Sequence, residues 1–300
     1  MAGRRTFIKS GLLAAAGMAG LGTIGTPMGA CGAVAPAALP GARFHLGLVT
    51  YNLASDWDIP TIIKNCEAAG FEGVELRTTQ KHGVEISLSK GKRAEVKQRF
   101  ADSKVRLVSL GTACEFESPD ASAVEKNIEE TRQWCELARD LGCLGVKVRP
   151  NGLPPDVPPD RTLQQIGQAL AKCGSAAQDN GVEIWMEVHG PGTQLVPNAQ
   201  RILQAANHPL VGACWNSNPT DVKNGSVKES FQMMKPYLRS CHIHELDDIT
   251  YPWQELFSLF REIGYDRYTF AEIGQPSCEP VRFMHYYRAL WDYHAGVGRP

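Results

Sequence analysis

No two of the nine cysteines are spaced as a CxxC pair, so the chain contains neither a zinc ribbon nor a thioredoxin-type redox motif. Neither sign of charge prevails: 31 Lys and Arg stand against 32 Asp and Glu, a formal net charge of −1 over 300 residues. That balance argues against the broad basic footprint of a nucleic-acid binder. A glycine-rich phosphate turn is missing where the first strand would deliver one, because Thr50-Tyr51-Asn52-Leu53 follows instead. Long apolar runs are scarce as well. The one long charge-free stretch, between Lys9 and Arg43, is rich in Gly and Ala and would make a weak membrane span. Past it no low-complexity linker divides the chain, and 43% hydrophobic content is enough for one large core.

The leader reads as an address. Gly3-Arg4-Arg5-Thr6-Phe7-Ile8-Lys9, followed by the mild apolar run, resembles a twin-arginine export signal. Residues 1–38 are therefore expected to lie outside the fold, with the twin-arginine translocase as partner during export. The expected destination is the periplasm or a lipid anchor at the membrane. Two processing sites compete. Ala33-Val34-Ala35 suits a signal peptidase, whereas Met28-Gly29-Ala30-Cys31 resembles a lipobox and would put lipid on Cys31. Membrane contact would run only through the leader or that lipid.

Over residues 42–300, strand-like runs alternate with amphipathic helical runs at about 30 residues per pair. Strands are expected at 44–50, 73–77, 105–110, 144–149, 182–189, 211–216, 238–245 and 268–273. Helices are expected at 59–69, 92–103, 121–141, 163–178, 198–206, 227–234, 253–263 and 280–293, with a Pro-rich loop over 150–159. Eight β/α pairs in one chain point to a (β/α)₈ barrel as a single domain. A doubly wound sheet is the alternative, and the missing phosphate turn weighs against it. Cysteines such as Cys214 and Cys241 fall inside apolar strand runs and read as small core residues.

In such a barrel the chemistry gathers at the C-terminal ends of the strands. Those ends supply Glu75 and Arg77, Lys147 and Arg149, Glu187 and His189, Asn216, His242 and His244, and Glu272. Alternate strand residues share a face, so His242 and His244 point the same way. Glu187, Asn216, His242 and Glu272 would surround one axis. Two carboxylates, an imidazole and an amide oxygen suit a divalent ion such as Mn²⁺, Mg²⁺ or Co²⁺, ahead of Zn²⁺. Lys147 and Arg149 alternate inward and would bind substrate hydroxyls or a carboxylate, or form a structural ion pair. His82, in the loop after the second strand, is a candidate to reach the pocket.

At these residues the chain resembles the xylose isomerase-like TIM barrels, the sugar (phosphate) isomerase and epimerase group. The likeness rests on Val74-Glu75-Leu76, Glu187-Val188-His189, Cys214-Trp215-Asn216, His242-Ile243-His244-Glu245 and Phe270-Ala271-Glu272. It implies Glu187, the sixth-strand Asn216, His242 and Glu272 as metal ligands, with Glu187 and Glu272 doubling as acid and base. His189, Lys147, Arg149, Glu75 and His82 would line the substrate. The family's usual sixth-strand Asp is Asn216 here, and His244-Glu245 stands where Lys-Asp is usual. The first change removes one negative charge, which weakens the hold on the ion and sharpens its Lewis acidity. The expected substrate is an unphosphorylated keto-sugar, converted through an enediolate to an epimer or isomer. Alternatives are a 3-keto-glycoside lyase or hydrolase, with His189 or His244 as proton donor, and a non-catalytic sugar-binding barrel. A hydrolase of the AP-endonuclease kind would need more histidines, and Asn216-Ser217-Asn218-Pro219 stands where its Asp-x-x-His belongs.

Overall fold

The computed structural model describes residues 42–297, so the leader with its arginine pair and Cys31 lies outside the described residues. Strands β1 (His45–Val49), β2 (Gly73–Arg77), β3 (Arg106–Gly111) and β4 (Gly145–Val148) alternate with helices α1 (Ile59–Ala69), α2 (Lys90–Ala101), α3 (Ala121–Leu141) and α4 (Pro159–Asn180). The second half repeats the pattern with β5 (Glu183–Glu187), β6 (Val211–Trp215), β7 (Leu238–Ile243) and β8 (Tyr268–Ala271). Its helices are α5 (Val196–Ala206), α6 (Lys228–Met234), α7 (Trp253–Glu262) and α8 (Pro280–Ala295). All neighbouring strands are parallel, and β8 pairs with β1, closing the barrel. Closure rules out the doubly wound alternative, whose sheet keeps two edges.

Local chemistry sets the helix starts. Asp58 accepts from the Thr61 N–H at 2.9 Å ahead of α1, and Asp120 accepts from Ser122 ahead of α3. Strand β5 stops at Glu187 and β7 at Ile243, earlier than the sequence expectation, so His189 and His244 sit on the chain as it leaves the barrel.

Two apolar regions result. The larger fills the space between the sheet and the ring of helices. The smaller, Val49, Val108, Trp185, Cys214 and Phe270, plugs the barrel interior. Side chains alternate in and out along each strand, so the residues two positions beyond this plug also face inward. Beyond Trp185, Cys214 and Phe270 these are Glu187, Asn216 and Glu272. The plug is thus the floor of the site. Seven of the eight cysteines among the described residues are buried and all eight are unpaired, as small core residues would be. No helix among the described residues is long and apolar enough to cross a membrane.

Candidate metal centre

Three side chains from β5, β7 and the end of β8 converge above the floor. Donor atoms of Glu187, His242 and Glu272 all lie within 4.8 Å of one another. His242 is completely buried, Glu187 is 3% exposed, and the Glu272 side chain retains 19% exposure toward the mouth. Asn216, one residue past β6, is 4% exposed.

The histidine is oriented from behind. Its Nε2 lies 3.1 Å from Glu75 Oε1, and Glu75 also accepts from the Ser109 hydroxyl at 2.9 Å. Gly111 makes room for that carboxylate: a Cβ there would stand 2.8 Å from Glu75 Oε1. An Nε2–H donated to Glu75 leaves Nδ1 as the free lone pair, directed at Glu272 Oε2 (3.2 Å) and Glu187 Oε1 (3.6 Å). A carboxylate behind a histidine that presents its other nitrogen is the usual support of a metal-bound imidazole.

These atoms fit a dication. His242 Nδ1 and Asn216 Oδ1 are both buried without a hydrogen-bond partner. A buried, unpartnered nitrogen next to two carboxylates, as His242 Nδ1 is, calls for positive charge. The ionisation pattern agrees. Burial disfavours the His242 imidazolium, yet Cys214, Glu75 and Glu272 outweigh it and hold the imidazole well above its ordinary range. Burial likewise opposes ionised Glu187 and Glu272. Lys147 and His242 overcome that for Glu187, and His242 chiefly does so for Glu272, leaving both below the usual carboxylate range. Two carboxylates, one imidazole and one amide oxygen form a hard, oxygen-rich set.

The expected substrate residues separate into two groups. His82 is turned away from the mouth: its Nδ1 accepts from the Val84 N–H at 3.0 Å and its Nε2 donates to the Arg77 carbonyl at 2.9 Å. Both ring nitrogens are engaged in holding the loop after β2. Glu75 is fully buried behind His242. Lys147 is 3% exposed, with its ammonium 2.5 Å from Glu187 Oε2, so it faces a carboxylate rather than a sugar. The others stand at the mouth. Arg149 pairs with Glu115, His189 Nδ1 lies 3.0 Å from Asn151 Oδ1, and His244 Nε2 lies 3.6 Å from Glu272 Oε2.

Ser109 and Gly111 escaped the sequence reading. Their role depends on a Glu75 carboxylate that finds its partner 167 residues away, and no local pattern announces such a pair. The strand-end position of Glu75 was the available signal; its partner was not.

Residues 63–284 match the family profile described as Xylose isomerase-like TIM barrel. Several solved structures share the architecture. The IolI protein, solved with a zinc atom bound, aligns at TM-score 0.71 with 17% identity over 84% of this chain and 98% of that one. An L-ribulose 3-epimerase aligns at TM-score 0.72 with 16% identity over 84% and 95% of the two chains. The 3-keto-D-glucoside 4-epimerase YcjR from E. coli aligns at 0.69 with 14% identity over 84% and 99%. With residues 63–284 of its closed eight-stranded barrel inside the profile, the chain belongs to the xylose isomerase-like TIM barrel family.

Proposed function

We propose that this protein is a divalent-metal-dependent isomerase or epimerase of an unphosphorylated keto-sugar. Glu187, Asn216, His242 and Glu272 would hold the ion. The observation that carries the reading is the convergence of Glu187, His242 and Glu272 within 4.8 Å, with the buried His242 Nδ1 lacking a hydrogen-bond partner and Asn216 Oδ1 likewise buried and unpartnered one residue past β6. The structural neighbours include proteins named as epimerases of keto-sugars, which supports the substrate class. The leader makes the periplasm, or a lipid anchor at Cys31, the proposed place of action.

A divalent ion there would polarise a ketone and its neighbouring hydroxyl, making the intervening C–H acidic. Glu272, the carboxylate open to the mouth, takes that proton and leaves an enediolate. Glu187 presents Oε1 to the same space while Lys147 holds Oε2, so its carboxylate is fixed in place. Protonation of the opposite face by Glu187, once it has taken a proton from solvent, gives the epimer and leaves Glu272 to release the abstracted proton to water; return of that proton from Glu272 to the adjacent carbon gives the isomer. Lys147 and Glu75 act as positioning residues, one behind each ligand.

A second reading has its own observation. His244 stands next to Glu272 with a side chain 39% exposed, well placed to protonate a departing group. The same carbanion with a leaving group β to it would make the protein a 3-keto-glycoside lyase.

Deuterium uptake from D₂O into ketoses and 3-keto-glycosides, with Mn²⁺ supplied, separates the readings. Wild type should exchange the carbon-bound hydrogen, and Glu187→Gln should lose at least 100-fold of that rate while keeping its fold. Release of an aglycone selects the lyase. Sugar binding with no exchange under any metal leaves only a non-catalytic binder.

A further inference from the structure

The inward-facing residues of this barrel change character abruptly between two layers. Glu187 and Glu272 flank the candidate metal position, with Glu75 behind His242. One step further along β2, β4, β5 and β7 the same alternation presents Arg77, Arg149, His189 and His244. None of these four is a carboxylate. Two residues of strand advance the chain by about 6.6 Å, so this rim lies roughly one sugar length above the ligands.

Arg77 is the unusual member. It is half-buried at the end of β2, its Nη1 donates to the Thr78 carbonyl at 3.2 Å, and its guanidinium lies over the Tyr51 ring at 5.9 Å. Among the described residues it makes no ion pair. Arg149 does, to Glu115, but its Nε is buried and unpartnered. Glu117, the other carboxyl on that loop, is pushed by burial and by Glu115 toward its neutral form. For Arg77, burial and the neighbouring Arg149 both disfavour the charge, while Glu187 below partly restores it. A half-buried, pre-oriented guanidinium with free donors and a cationic neighbour is built to receive a planar anion.

We propose that the substrate is a keto-sugar acid, and that Arg77, assisted by Arg149, binds its carboxylate at the end remote from the reacting ketone. This rests on the isomerase or epimerase reading and names its substrate class. A phosphate is the competing anion. Its second charge would need more free donors than this rim offers, since Glu115 already occupies part of the Arg149 guanidinium.

The test uses three matched probes: D-fructose, its C6 carboxylate D-fructuronate, and D-fructose 6-phosphate. Binding of each to Mn²⁺-loaded protein is measured by calorimetry, after Mn²⁺ binding itself has been measured on the same sample. Wild type should prefer D-fructuronate over D-fructose at least tenfold, and added salt should shrink that preference. Arg77→Gln should abolish the preference while leaving D-fructose affinity and Mn²⁺ binding unchanged, and Arg77→Lys should restore part of it. Equal affinity for the first two probes in wild type overturns the proposal, as does tighter binding of the phosphate. So does Mn²⁺ binding with no affinity for any of the three. Failure to bind Mn²⁺ sinks the parent reading instead, and the two failures are thereby told apart.

Discussion

Asp221 carries a residue-scale cost in the wall beside the site. It is 1% exposed, accepts from the Asn218 N–H at 2.8 Å and the Tyr251 hydroxyl at 3.2 Å, and leaves its Oδ1 buried without a partner. Burial outweighs those two bonds and pushes its carboxyl up to about 7. The sign follows from proton counting. Between about pH 4 and pH 7 the folded protein holds a proton here that the unfolded chain has released, so stability falls as pH rises through that window. Above the folded value the loss is complete, on the order of a few kcal/mol. Asp221→Asn keeps an acceptor for both donors and removes the titration. Thermal melts from pH 4.5 to 8 should show wild type losing stability relative to the variant as pH rises. Parallel curves would mean that the carboxyl is already ionised at low pH. Glu75, equally buried, has its carboxylate oxygens answered by Ser109 and His242.

Among the elements, α4 and α5 pack closely because Gly167 sits in their contact. A Cβ at that position would lie 2.5 Å from the Ala205 Cβ and 2.7 Å from the Ile202 carbonyl oxygen. In an isolated helix Gly→Ala gains about 1 kcal/mol. Here Gly167→Ala should instead destabilise by about 1–3 kcal/mol, because the helices have to separate to admit the methyl. Urea denaturation decides the sign, and a gain in stability would mean that the pair slides apart freely. That contact was invisible in the sequence, whereas the elements themselves were plain. Hydrophobic alternation placed all eight strands, and α3 matches its expected range because Asp120 caps one end and Gly142 follows the other. The start of α4 was missed. Its first residue is Pro159, which the sequence reading spent on the preceding loop, although proline is well accommodated in a first helical turn. Strand parity also revealed the convergence of Glu187, His242 and Glu272, since period two fixes which residues face inward. It does not separate a ligand from the residue supporting it: Lys147 reads equally as a substrate contact or as the structural ion pair it forms with Glu187, and nothing in the sequence pairs Glu75 with His242. That distinction depends on which strand lies opposite, and only the closed register supplies it.

At the scale of the whole molecule, Glu187, His242 and Glu272 come from β5, β7 and the end of β8, and meet only while the barrel is closed. The unfolded chain has no such site, so binding a dication feeds directly into the global unfolding equilibrium. Mn²⁺ at about 100 times its Kd should add roughly 2.7 kcal/mol. For a domain of this size that amounts to a rise in Tm of about 5–10 °C, reversed by a chelator. Asn216 makes the argument sharper. Buried Glu75, Glu187 and Glu272 bring three negative charges and Lys147 one positive, so with neutral His242 a dication brings this cluster to zero. Asn216→Asp adds a fourth carboxylate. The metal-free variant should be less stable than wild type through repulsion among buried carboxylates, and its Mn²⁺ affinity should rise at least tenfold. The metal-induced Tm shift should therefore be larger in Asn216→Asp than in wild type and smaller in Glu187→Gln. Identical shifts in all three proteins would place the bound ion somewhere other than the mouth of the barrel.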